Sequence, residues 1–92
     1  MESKKKDAKQ SLKLIYPEDL DTIYSNHVQF YVSNWDFVFD FGIVQPLTQK
    51  VNVSLRIAMS PSHAKQFALK LMKNVKNYEE TFGVVNVEPR KK

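Results

Sequence analysis

The sequence predicts an α+β domain in which a three-stranded antiparallel sheet, a meander, is followed by one long amphipathic helix packed on one face of the sheet. Two observations carry this prediction. Three successive runs of residues alternate between apolar and polar side chains, which is typical of half-buried strands. After the third run, Ser60-Pro61 precedes a long segment in which apolar residues recur every three or four positions, as along one side of a helix.

The first two strands are predicted over residues 23–32 and 35–44, and Ser33-Asn34 between them suits a hairpin turn. A two-residue turn there places apolar side chains opposite one another, because facing residues of an antiparallel pair share a face of the sheet. The predicted apolar pairs are Val32–Trp35, Phe30–Phe37 and Val28–Phe39. The predicted pairs on the opposite face are Tyr31–Asp36, Gln29–Val38 and His27–Asp40.

The third strand is predicted over residues 51–59, after a longer connection that leaves its register open. Its alternation places five apolar residues on one face: Val51, Val53, Leu55, Ile57 and Met59. The sequence also leaves open whether residues 14–16 or 84–87 add a short strand. Pro17 has no N–H group to donate, which argues against a central strand at the first of these.

The helix is predicted to begin with Ser60 as N-cap and Pro61 at the first helical position, and to end at Gly83. Its apolar stripe consists of Ala64, Phe67, Ala68, Leu71, Met72, Val75, Tyr78 and Phe82. One helix covers only part of a three-stranded sheet. We therefore expect a second copy of the chain to cover the remaining apolar surface, as a homodimer or other homo-oligomer.

Length and composition set the class of protein. The 92 residues suit one domain, predicted over residues 14–87 and flanked by disordered basic tails, 1–13 and 88–92. The absence of cysteine excludes disulfides, thiolate zinc sites and a thiol nucleophile, and fits a cytoplasmic location. No apolar run approaches the ~20 residues of a membrane span, and no secretory signal is visible, so we expect no membrane association.

Two aspartates on the second strand are the first candidate site. Asp36 and Asp40 lie on one strand face about 13 Å apart, whereas the paired carboxylates of glycosidases lie roughly 5–9.5 Å apart. We expect them to keep one sheet face solvated and to oppose edge-to-edge association. His27 is predicted to contact Asp40 across the strands, and His63 lies alone in the first helical turn. Without a nucleophile motif or metal-ligand spacing, we predict no catalytic residue, no cofactor and no metal site.

A basic surface is the second candidate site. The net charge is +4, and the predicted helix carries lysines away from its apolar stripe. The possible interaction residues are Trp35, Tyr31, Lys65, Lys70, Lys73 and Lys76. Aromatic side chains beside a basic groove are typical of single-stranded nucleic-acid binding. A solvated helix face is the favoured explanation of the lysines, and the two aspartates of the sheet would repel phosphate.

Several blocks of the sequence occur in the same order in a known family. They are Tyr24-Ser25-Asn26-His27-Val28-Gln29, Trp35-Asp36-Phe37, Asp40-Phe41-Gly42, Met59-Ser60-Pro61-Ser62-His63-Ala64-Lys65, Asn74, Tyr78-Glu79 and Phe82-Gly83. Through these blocks the sequence, from about Pro17 to Gly83, resembles the domain-of-unknown-function family 3467, small proteins of bacteria and archaea. That family has no assigned activity, so the resemblance implies no catalytic role for any residue.

Three hypotheses for function follow. The first is a non-enzymatic, homo-oligomeric protein-interaction module that binds a protein partner. The second is a nucleic-acid-binding protein that uses the basic helix face and tails. The third is a binding protein of the chaperone type, because the strand–strand–strand–helix order is loosely similar to that of the SecB export chaperone.

Overall fold

The computed structural model describes residues 11–87. Residues 1–10 of the predicted tail 1–13, and the whole predicted tail 88–92, lie outside this range. The elements are β1 (His27–Val32), β2 (Phe37–Gln45), β3 (Lys50–Met59) and α1 (Pro61–Phe82). The sheet is antiparallel in the order β1-β2-β3, so the predicted three-stranded meander with one following helix is confirmed. Residues 14–16 and 84–87 form no strand.

The predicted register of the first hairpin is wrong by two residues. Phe30 lies opposite Phe39 and Val32 opposite Phe37. The turn is centred on Asn34-Trp35, one residue later than predicted, because the Ser33 hydroxyl accepts the backbone N–H groups of Trp35 (3.1 Å) and Asp36 (3.2 Å). A shift of two preserves which residues share a face, so the predicted faces of β1 and β2 survive.

Two side-chain predictions change with this register. The prediction that Trp35 lies on the apolar face opposite Val32 is wrong; the side chain lies in the turn and is 83% exposed. His27 lies opposite Gly42, and Asp40 lies opposite Gln29, so the predicted direct pairing of His27 with Asp40 is wrong. The serine hydroxyl at the turn was the sequence signal for this shift.

The alternation predicted along β3 is also interrupted. Leu55 lies opposite Phe41, but Val53 lies opposite Gly42, so the register shifts by one residue as at a β-bulge. Leu55, Ile57 and Met59 share the face of the phenylalanines, as predicted. The prediction for Val51 and Val53 is wrong: their partners, Val44 and Gly42, place them with the opposite face.

Close backbone approach at this irregularity requires glycine. A Cβ atom added at Gly42 would overlap the Asn52 carbonyl oxygen and lie 3.0 Å from Val51 Cγ1. The same stretch of β2 is also tied to the segment before β1. Asn26 donates its N–H to the Gly42 carbonyl at 3.1 Å, and its Oδ1 accepts the Val44 N–H at 2.9 Å.

The helix begins and ends as predicted. The Ser60 side chain accepts the His63 N–H at 3.1 Å, and Pro61 follows at the first helical position. Gly83 adopts φ 108° and donates its N–H to the Glu79 carbonyl at 2.9 Å. The Glu79 carboxylate accepts the Val85 N–H at 3.0 Å, which holds the following segment beside the last turns.

The buried core of a single chain is small. Among residues 11–87, the apolar side chains that are less than about one-tenth exposed are Phe39, 7% exposed, and Ala64, 6% exposed. They mark the point where the first turns of α1 meet the centre of the sheet. A domain of this length depends on a contiguous core for stability. Because the buried core here is so small, the chain alone leaves most of its apolar surface in water.

Gly42→Ala tests the close approach at the β2–β3 irregularity. We expect it to lower the free energy of unfolding by about 1–3 kcal/mol, because the new methyl group must displace the Asn52 backbone. Urea unfolding followed by circular dichroism, at fixed protein concentration, measures the change. Gly83→Ala is the matched control: nothing lies within 4 Å of its added Cβ, so its cost comes from positive φ alone. Equal stability of G42A and the parent chain would contradict the prediction.

Candidate protein interface

The apolar face of the sheet is organised around Phe39. Its ring meets Phe30 edge-on at 5.2 Å between centroids, stacks on Phe41 at 6.1 Å, and meets Phe67 of α1 edge-on at 6.0 Å. Edge-on and stacked arrangements of this kind are favourable. Phe39 therefore connects Phe30 of β1 and Phe41 of β2 to the helix. The helix is therefore attached to the sheet mainly through this one ring and the adjacent small residue Ala64.

A groove remains open between the sheet and the helix. Its volume is about 270 Å³ and its surface is almost entirely apolar. It is lined by Phe30, Phe37, Phe39, Ala64, Phe67, Ala68 and Leu71. Phe30 is 56% exposed and Leu71 51% exposed, so side chains that belong to a core are accessible here.

A second groove lies further along the same face, toward β3. It is lined by Ile23, Ser25, Phe41, Leu55 and Ile57. None of these lining residues belongs to α1, so this half of the apolar face has no helix over it. We call this region the bare sheet face. The hydrophobic effect favours covering it.

The last turns of α1 carry a second uncovered surface. We call Met72, Val75, Tyr78 and Phe82 the outer helix stripe; it continues the apolar stripe that meets the sheet near Ala64. Val75 is partly buried and lines a small pocket with Val85, whereas the other three side chains are more than half exposed. Tyr78 and Phe82 pack on each other with ring centroids 4.9 Å apart, yet Phe82 is 73% exposed. The outer helix stripe was predicted to pack on the sheet of its own chain, and most of it does not.

The segment before β1 adds further exposed apolar side chains. They are Leu12, Leu14, Ile15, Tyr16, Leu20, Ile23 and Tyr24. This segment contributes no strand within the described part of the chain. It reaches the apolar face only near Ile23, which lines the second groove.

The opposite face of the sheet is held by one ion pair. Arg56 donates from Nε to Asp40 Oδ1 at 2.6 Å and from Nη2 to Oδ2 at 2.8 Å, and the two residues are direct neighbours across β2 and β3. Asp40 is 4% exposed, so its carboxylate depends on this bidentate partner. The hydrogen bonds from Arg56 lower the pKa of Asp40 below its ordinary value of 3.8, and they raise the pKa of Arg56.

The prediction that Asp40 faces solvent as a guard of the sheet face is wrong, because the residue is buried under Arg56. Sequence analysis missed Arg56 because the β2–β3 register was open. The available signal was an arginine at a polar position of β3 with an aspartate at a polar position of β2.

The candidate interaction residues are all exposed but lie in different places. Trp35 is in the β1–β2 turn, and Tyr31 lies on the Arg56 side of the sheet, with the guanidinium carbon 5.9 Å from its ring centroid. The lysines lie on the solvent side of α1, away from the apolar stripe: Lys65, Lys70, Lys73 and Lys76. The two aspartates behave differently, since Asp40 is neutralised by Arg56 while Asp36 helps form the turn with Ser33.

Two other features concern residues 11–87: metal-ligand groups and membrane-spanning helices. No group of three His, Asp or Glu side chains there is arranged to hold a metal ion. Nor does α1, the one helix in that range, have the length and apolar content to cross a membrane. His27 lies partly buried at the end of β1, beside Ser25 and Phe41.

The chain is thus a small α+β domain of the β-β-β-α order with an uncovered apolar face. It belongs to the family described as "Protein of unknown function (DUF3467)", which matches residues 1–87, so the family resemblance seen in the sequence is confirmed. No curated protein and no solved structure matches the chain.

Asp40→Asn tests the ion pair through its pH dependence. Because the folded-state pKa of Asp40 lies below its unfolded value, the pair stabilises the fold fully above about pH 3.8 and ceases to do so as the pH falls through the folded-state pKa. We expect D40N to be less stable than the parent chain at pH 7, with the difference shrinking in acid. Urea midpoints between neutral and acidic pH measure this, and Glu80→Gln on the outer side of the helix controls for general loss of charge. A difference that stays constant with pH would contradict it.

Proposed function

We propose that the protein is a non-enzymatic protein-interaction module that works as a homodimer or other homo-oligomer. The observation that carries the proposal is the exposure of the apolar face and the outer helix stripe. A soluble monomer rarely exposes a contiguous apolar patch above a few hundred Å², and larger patches usually mark interfaces. The same surface gives the chain its means of assembly and of holding a protein partner.

The size of the surface fits an interface between proteins. The large side chains of the two grooves and the outer helix stripe are about one-third to three-quarters exposed, apart from the buried Phe39 and the partly buried Phe37, Phe41 and Val75. A large apolar side chain presents on the order of 150–250 Å² when free, so together they offer on the order of 1,000 Å² per chain. A stable interface of standard size buries about 800 Å² on each partner.

Leu71→Asp tests this proposal against a closely matched control. Leu71 lines the apolar groove, whereas Leu69, two residues earlier on α1, is exposed on the lysine side of the helix. We expect the parent chain to sediment and scatter light as an oligomer of the 10.7 kDa chain at micromolar concentration. We expect L71D to weaken assembly by about 100-fold or more, because each copy loses roughly 1.5–3 kcal/mol of leucine burial and gains a charge in the interface.

Leu69→Asp is expected to leave assembly unchanged, because its side chain lies away from the proposed interface. Circular dichroism of both variants checks that the helix is retained. A parent chain that stays monomeric over the whole concentration range would overturn the homo-oligomer. In an oligomeric parent chain, equal effects of L71D and L69D would exclude the groove lined by Leu71 from the interface.

A second candidate function is single-stranded nucleic-acid binding. Two features favour it: the exposed lysine row on α1 and the exposed ring of Trp35. Neutralisation of Asp40 by Arg56 also removes one of the two charges expected to repel phosphate. Lys65 to Lys76 spans about 16 Å along the helix, enough to follow several phosphates of an extended strand.

Fluorescence anisotropy of labelled single-stranded oligonucleotides over a salt series tests the second candidate. If the lysines bind phosphate, affinity falls steeply with salt, and replacing all four with glutamine makes the slope shallower by about 0.7 for each phosphate that is no longer bound. Trp35→Ala separates aromatic stacking from charge. Absence of binding at low salt would remove this candidate.

The third hypothesis, a chaperone-type binding protein similar to SecB, rests on the order of the elements. Suppression of aggregation of an unfolded client by the parent chain, abolished in L71D, would support it. It would then be one form of the protein-interaction function.

A further inference from the structure

The two uncovered surfaces of the chain are complementary in kind. The bare sheet face is an apolar groove without a helix, and the outer helix stripe is an apolar helix surface without a sheet. A helix stripe packed on a sheet face is the ordinary way in which each is buried. Each chain therefore carries both halves of a contact that it does not complete itself.

The helix cannot complete the contact within its own chain without breaking. It is continuous over 22 residues, about 33 Å, and the glycine that ends it comes after the outer helix stripe. Its first three turns, through Leu71, line the groove over β1 and β2. The remaining turns continue in the same direction, so the bare sheet face near β3 stays uncovered.

We propose that two copies associate by a symmetric exchange, in which the outer helix stripe of each chain covers the bare sheet face of the other. This deepens the proposed homo-oligomer by naming the surfaces that meet, and it rests on that proposal. A two-fold axis forms both helix-on-sheet contacts at once, because each copy carries the same stripe and the same sheet face. Each copy buries its own stripe and its own sheet face. Their exposed fractions amount to about three whole apolar side chains, on the order of 500–800 Å² per copy, which approaches the about 800 Å² that each partner buries in a standard interface.

The exchange accounts for the small core of the single chain. Phe41, Leu55 and Ile57 lie on the same face as the buried Phe39 but lack its cover. In the exchanged dimer, the partner helix lies over these residues beside the chain's own helix. Two helices on one face of a three-stranded sheet then give a two-layer arrangement with a continuous core.

Complementary charges test the exchange. Leu55→Glu places a carboxylate on the bare sheet face, and Tyr78→Lys places an ammonium group on the outer helix stripe. Each variant alone is expected to dimerise at least about tenfold more weakly than the parent chain, because a charge is buried without a partner. A heterodimer of the two variants has two helix-on-sheet contacts. One contact contains neither substitution, and the other brings the introduced glutamate against the introduced lysine, so the heterodimer is favoured over either homodimer.

Native mass spectrometry of the mixed variants, with one chain isotope-labelled, measures the heterodimer share against random mixing. The control pairs Leu55→Glu with Leu69→Lys, which places its lysine on the solvent side of α1; we expect no selective heterodimer from this pair. Because recovery is read from the mixture, a variant that folds poorly alone still reports on the contact. Circular dichroism of the mixture follows recovery of structure.

The outcomes separate this proposal from the broader one. A selective heterodimer in the test pair alone supports the exchange. A monomeric parent chain overturns both the exchange and the homo-oligomer. A dimeric parent chain without selective pairing overturns the exchange and leaves the homo-oligomer. A dimer abolished in Ile15→Asp and weakened by L55E, but unaffected by Y78K, would assign the bare sheet face to the segment before β1, and would also overturn the exchange.

Discussion

The structure depends on one constraint of area: a single helix is too narrow to cover a three-stranded sheet whose apolar face is lined with phenylalanines. The helix buries Phe39 at the centre and leaves the surface toward β3 uncovered. Because the free energy of burying apolar area is the main term that stabilises a small domain, the uncovered part is the largest unrealised source of stability in the chain. The proposed assembly with another protein surface would bury this part.

The opposite face of the sheet carries the contacts that fix the register between β2 and β3. The apolar face alone tolerates a two-residue slip, since every second residue is apolar. Asp40 and Arg56 do not tolerate it, because their bidentate contact requires the two residues to lie directly opposite each other. Gly42 adds a second marker, since the Asn52 backbone can approach only where no side chain projects. Pairing of β2 with β3 is therefore specified twice, by charge and by shape.

The sequence predicted the elements well because their signals are local. The helix ends are set within one turn, by Ser60 and Pro61 at the start and by Gly83 at the end. Strand alternation is likewise visible within a few consecutive residues. Prediction from the sequence failed in two ways: at the first turn the local signal of Ser33 was not recognised, and elsewhere a distant partner decides the outcome. The β1–β2 register depended on a serine hydroxyl, and the side on which Val53 lies depended on the Asn52–Gly42 approach across strands. The extent of helix cover required the three-dimensional path of α1, which no spacing of residues contains.

Trp35 is the only tryptophan of the chain, and its position at the exposed tip of the first hairpin has a practical meaning. The ring is already largely in water in the folded chain, so its emission is a poor reporter of whether the domain is folded. Because no other tryptophan contributes, its fluorescence reports on the surroundings of the hairpin tip alone. A change in the wavelength or intensity of its emission in the folded protein would mean that a molecule has bound at the hairpin tip.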